Sequence, residues 1–134
     1  RFESRGLGDV YKRQEFLGNL PQTKIKDFMN KSKLLIHTSQ YETFGLVAIE
    51  ANSMGVPILS INTGSLIEII ENNKNGYFAE DFMDNHANNF VRDLLNDDDY
   101  FNNVMSQCIQ KSEKYNWETT ADSLLKTYQD VKLS

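Results

Sequence analysis

The chain has 134 residues, a net charge of −5, 40% hydrophobic residues and a single cysteine. That is the length of one domain with one core, and its acidity argues against nucleic acid as the main partner. Lone Cys108 excludes an internal disulfide or a cysteine-based metal knuckle; no apolar run approaches the roughly 20 residues of a membrane span, and no signal segment opens the chain. The composition is that of a soluble, cytoplasmic, single-domain protein.

Residues 1–14 stand apart. They hold three of the four arginines and none of the fourteen asparagines. The stretch from Ser4 to Gln14 resembles the translation of a transposase adapter used in building sequencing libraries. It is therefore read as a non-native tail, and the authentic domain as 15–134. The chain also lacks an initiator Met, and the expectation is a fragment of a longer protein.

Beyond the tail, apolar runs alternate with helical patterns, and glycine falls at the junctions. Phe16-Leu17 runs into Gly18. Pro21 opens a helical segment over about 22–30. Leu34-Leu35-Ile36-His37 has the continuous hydrophobicity of a strand covered on both faces. A helix follows over 44–54, with Phe44, Val47, Ala48, Ala51 and Met54 on one face and Gly55 as its stop. Pro57 suits the first residue of a strand over 57–61. A helix over 65–72, a strand over 76–79 and helices over 84–95, 98–114 and 117–131 complete the chain. Asp97-Asp98-Asp99 is read as a solvated turn and helix start, and Asn116 as the cap of the last helix. The order β-α-β-α-β predicts an α/β, Rossmann-like open parallel sheet with flanking helices, ending in a helical segment.

In such sheets ligands bind beyond the carboxyl ends of the strands. Two loops lie there: Thr38 to Thr43, ahead of the helix at Phe44, and Asn62 to Ser65, ahead of the helix at Leu66. Backbone amides of Phe44, Gly45 and Leu46 at a helix N-terminus suit a phosphate, and Gly45 carries no Cβ to hold a diphosphate off. Glu50 lies one turn beyond Leu46, about 6 Å along the axis, which is the reach from phosphate to ribose. A carboxylate accepts from both hydroxyls of a ribose diol. Glu42 lies up to ~12 Å from Glu50 if the intervening residues are helical, on the side of the transferred group. The Glu-x7-Glu spacing itself arises by chance about 0.6 times in a chain of this glutamate content, so the spacing is weak. His37, closing its strand, reads as a core or loop hydrogen-bonding residue. Cys108 reads as packing.

The longer string is far more specific. Ser39-Gln-Tyr-Glu42-Thr-Phe44-Gly45-Leu46-Val-Ala-Ile-Glu50-Ala, then Gly55-Val-Pro57, then Asn62-Thr-Gly64-Ser65 and Asn75-Gly76, resembles the retaining family-4 glycosyltransferases of the GT-B fold. The likeness runs from about Glu15 to Ser134. It implies the donor-binding C-terminal half of a two-domain enzyme that takes no metal or other cofactor. The substrate implied is a nucleotide-diphosphate sugar, with uridine the family-level expectation, and the setting bacterial polysaccharide assembly. The resemblance gives Glu50 the ribose and Glu42 the sugar ring, as the tentative catalytic residue. Phe44, Gly45 and Leu46 meet the diphosphate or sugar through their backbone, and Ser39 and Gly64 join the binding set.

Three departures stand out. Gly64-Ser65 replaces the family's Gly-Gly, and Thr38-Ser39 replaces its Pro-Ser. The Gly-Arg and Lys that clamp the diphosphate have no counterpart, since Lys24, Lys26, Lys31 and Lys33 sit elsewhere and read as a solvated helix face. The acceptor-binding N-terminal half is absent, so the isolated chain is expected not to turn over. Membrane contact of the full-length protein is left open. Two other readings stand beside the transferase: half of a nucleotide-sugar epimerase, and a non-catalytic nucleotide-sugar-binding module.

Overall fold

The computed structural model describes residues 13–132 apart from 62, 63, 82 and 83. Most of the proposed tail, residues 1–12, therefore lies outside the described residues, as do Asn62 and Thr63 of the second loop. Elements follow in the order α1 (Gln22–Met29), β1 (Leu35–His37), α2 (Leu46–Ser53), β2 (Ile58–Ile61), α3 (Leu66–Ile69), β3 (Gly76–Ala79), α4 (Asn85–Asn96), α5 (Asp98–Ser112) and α6 (Trp117–Lys132).

The three strands form one parallel sheet in the order β1-β2-β3, with Leu35 opposite Ile58 and Ile58 opposite Gly76. Parallel neighbours joined through helices give the Rossmann-like arrangement that the apolar runs predict. On one face Ala48 and Ala51 of α2 and Leu66 and Ile69 of α3 close over Ile58, with Met29 of α1 joining them. On the other, Phe90 and Leu94 of α4 and Val104 and Cys108 of α5 pack with Leu34 and Tyr77.

Helix ends obey local chemistry. Asp84 caps α4 by accepting from the amides of His86 and Ala87. Asp97 caps α5 through Tyr100, with Asp98 and Asp99 in the first turn, so the acidic run is a helix start. Asn116 accepts from the amide of Thr119, 2.8 Å away, at the head of α6.

Three expectations are corrected. The helix predicted from Phe44 begins at Leu46, because Gly45 is its cap with φ +82°, and Phe44 is left 56% exposed. The helix predicted over 65–72 stops at Ile69. Asn75 Nδ2 donates to the carbonyl of Ile69 and its Oδ1 accepts from the amide of Glu71, so a side chain takes the groups that would have continued the helix. Strand β1 is not covered on both faces, since Ile36 is 63% exposed.

Candidate functional site

Strand β1 delivers His37, the loop beyond it carries Glu42, and Gly45 turns the chain into α2. The second loop reaches the first at this point. The amide of Ser65 lies 3.4 Å from the carbonyl of Glu42, and a Cβ at Gly64 would stand 2.0 Å from that same oxygen. The two loops that precede α2 and α3 are therefore in direct contact at the carboxyl end of the sheet.

Glu42 is the centre of the cluster. Its Oε1 accepts from the amides of Gly45, at 3.0 Å, and Phe44, at 3.3 Å. Its Oε2 lies 3.3 Å from His37 Nε2. The Gly45 amide, then the Phe44 amide, favour the ionised form, and with smaller help from His37 they hold this carboxyl below its ordinary value against the opposing effect of desolvation. His37 is the residue whose role the sequence left general, and its ring pairs with Glu42 at the edge of the proposed site.

Two parts of the expected geometry change. The Phe44 and Gly45 amides are met by the chain's own carboxylate, so an anion already rests where the sequence argument put a phosphate. The absence of a Cβ at Gly45 also serves the interior. That Cβ would come within 2.8 Å of Leu66 Cδ2 and 2.9 Å of Ile69 Cδ1, so α3 occupies the space, and the positive φ adds its own demand for glycine. Gly64 is likewise required by loop packing.

The other expected residues take these places. Glu50 is half-buried one turn into α2, with Oε1 3.5 Å from Gln22 Nε2 at the start of α1. Ser39 is exposed and its hydroxyl donates to the carbonyl of Tyr41. Phe44 and Leu46 are exposed and, with Ile49, Tyr115 and Trp117, line a groove of about 300 Å³ between α2 and the α5–α6 junction. Lys24, Lys26 and Lys31 are exposed, and Lys33 pairs with Asp98 and lies over the Phe101 ring. Among the described residues none of the four pairs with Glu42 or His37. Among the described residues no group of three or more His, Cys, Asp or Glu could hold a metal, and no helix is long and apolar enough to cross a membrane.

The family model for glycosyl transferases group 1 matches residues 6–115. The chain belongs to that family. An uncharacterised glycosyltransferase of Methanocaldococcus jannaschii is 27% identical over 117 residues, which is 87% of this chain and 33% of the relative. A D-inositol 3-phosphate glycosyltransferase of Rhodococcus jostii is 28% identical over 116 residues, 87% of this chain and 26% of the relative. Among solved structures, sucrose-phosphate synthase of Thermosynechococcus elongatus superposes with a TM-score of 0.77 at 23% identity, over 96% of this chain and 33% of that one. Anabaena HepE, in complex with UDP and glucose, gives 0.74 at 22% identity, over 92% and 34%. At these identities the superpositions establish the shared fold. This group 1 glycosyltransferase chain spans about a quarter to a third of the length of the relatives it matches.

Proposed function

We propose that this chain is the donor-binding, C-terminal part of a retaining glycosyltransferase, which moves a hexosyl or related group from a nucleotide-diphosphate sugar to an acceptor. Uridine is the proposed nucleotide, supported by the UDP and UDP-glucose bound to Anabaena HepE. The acceptor-binding half is assigned to an N-terminal domain outside this chain, so the isolated chain is taken to bind donor weakly and to turn over none. A metal-independent reaction in the cytoplasm, in bacterial polysaccharide assembly, completes the proposal, with membrane contact assigned to the rest of the protein if present.

The observation that carries this reading is the placement of two carboxylates around the entrance to α2. Glu42 sits at the N-terminal end and Glu50 one helical turn inside. Between them are the amides and dipole of α2, which favour negative charge. A diphosphate at that end, a ribose diol at Glu50 and a sugar near Glu42 would lie in the order in which the donor presents them. In the transfer the bond from the anomeric carbon to the diphosphate breaks and the leaving oxygen keeps its electron pair, while an acceptor hydroxyl oxygen bonds the anomeric carbon and its proton passes to the departing diphosphate. The helix end stabilises that developing charge, an electrostatic contribution made by backbone already in place.

Calorimetry with UDP-glucose tests the assignment. Glu50→Ala removes the acceptor for two ribose hydroxyls and is expected to weaken binding roughly ten- to hundredfold, the scale of charge-assisted hydrogen bonds. Undiminished affinity in that variant would remove Glu50 from the site.

A further inference from the structure

The pairing of His37 with Glu42 has no counterpart in the donor contacts assigned above. The His37 side chain is nine-tenths buried at the end of β1, and its Nε2 faces Glu42 Oε2 at 3.3 Å. Its Nδ1 is buried without a hydrogen-bond partner among the described residues. A bare imidazole nitrogen left unpaired costs less than a buried N–H left unpaired on a charged ring. The arrangement therefore selects the tautomer with its proton on Nε2, aimed at Glu42.

Glu42 is thus held from two sides. Its Oε1 rests on the Phe44 and Gly45 amides ahead of α2, and its Oε2 lies beside a strand-end histidine. The two anchors are not equivalent once a donor arrives. A diphosphate seeking the Phe44 and Gly45 amides competes with Oε1 and repels the carboxylate, whereas the 3.3 Å contact between Oε2 and His37 Nε2 faces no such competitor. A carboxylate held by the amides alone would be driven into solvent. Held also by His37, it stays beside the sugar.

We propose that His37 is a positioning residue for Glu42: it retains the carboxylate at the donor sugar when phosphate displaces it from the Phe44 and Gly45 amides. The inference rests on the donor reading above. It adds that the free site is closed by an internal anion, and that sugar recognition depends on a residue which does not itself touch the ligand.

The test compares UDP with UDP-glucose on this chain and on the His37→Ala and His37→Gln variants, by calorimetry. His37→Ala is expected to weaken UDP-glucose binding about three- to tenfold more than UDP binding, as one lost hydrogen bond would. His37→Gln, whose amide can place a donor near the Nε2 position, is expected to restore the difference. Equal losses for both ligands, or no loss for either, would overturn the proposal. Nitrogen chemical shifts of the His37 ring in the ligand-free chain give a separate reading. An Nε2–H tautomer that Glu42→Gln perturbs is expected, and a proton on Nδ1 alone would overturn the geometry. Unaltered chain that binds neither ligand, with the ring signature intact, would instead locate the failure in the donor reading, and the positioning role would fall with it.

Discussion

The backbone of Gly64 lies against the backbone of Glu42, so closely that a Cβ at residue 64 would stand 2.0 Å from the Glu42 carbonyl oxygen and 3.1 Å from its carbon. Backbone cannot rotate away as a flexible side chain can, and Gly64 also has φ +49°. Gly64→Ala is therefore expected to part the two loops and to cost about 1–3 kcal/mol in backbone strain. Thermal unfolding should show a lower midpoint, by roughly 3–10 °C for a domain of this size. The amide signals of Phe44 and Gly45 should shift with it, because Glu42 is displaced. A variant with unchanged midpoint and unchanged amides would show that the second loop is not fitted to the first.

The Glu42 carboxylate gives the chain a specific acid sensitivity. Its folded-state value is depressed, mainly by the Gly45 and Phe44 amides. A depressed carboxyl stabilises the fold above its unfolded value of about 4.5, and that contribution is lost as pH falls through the lower folded value. Glu42→Gln keeps the shape but not the charge. The difference in unfolding midpoint between the two proteins should be constant near neutrality and shrink below about pH 4.5. Glu71 and Asp84 are also depressed, but both variants retain them, so they cancel from the difference. A difference that persists unchanged at low pH would mean that charge on Glu42 is not what the α2 amides hold.

The strands were legible because each is a short apolar run, the second and third marked by Pro57, Asn62 and Asn75-Gly76, and the parallel sheet follows from helices lying between them. The observed bounds fall within one residue of Leu34–His37 and Pro57–Ile61 and coincide with Gly76–Ala79. What was not legible depends on residues distant in sequence or on side-chain direction. Asn75 ends α3 from six residues away, and no helical periodicity records that. The direction in which Gly45 lacks a Cβ, toward Leu66 and Ile69, is invisible until α3 is placed. The hold of Glu42 on the Phe44 and Gly45 amides just ahead of α2 had a signal, an acid three residues before a glycine at a helix start. The same residue type was equally suited to a ligand, and sequence alone does not separate the two.

Asn75 is a second point where one side chain joins several elements. Its Nδ2 donates to Asn52 Oδ1 and to the Ile69 carbonyl, and its Oδ1 accepts from the Glu71 amide. Its own carbonyl accepts from Asn52 Nδ2 and from the amide of Ile58. Both asparagines are fully buried. Asn75→Ala leaves three groups without this partner in the interior, and the expected cost is about 2–4 kcal/mol, measured as a lower urea midpoint with unchanged slope. Asn75→Asp should cost at least as much at neutral pH, because it sets a carboxylate against Asn52 Oδ1 and a carbonyl. If Asn75→Asp were the milder of the two, the amide's donor role would be wrong.

Cys108 faces the same region from α5. It is fully buried with Val104, Phe90 and Leu94, and its sulfur lies 3.6 Å from the Asn75 carbonyl. Burial pushes its thiol up to about 12, so at neutral pH it is uncharged and lacks the thiolate that reacts. An aromatic disulfide reagent should label it only as fast as the chain opens, and labelling should rise in step with denaturant-induced unfolding. Cys108→Ala removes only the sulfur and is expected to cost about 1–2 kcal/mol. Rapid labelling of the folded chain would contradict the packing described here, because it would require an exposed, ionised sulfur where the α4–α5 interface is closed.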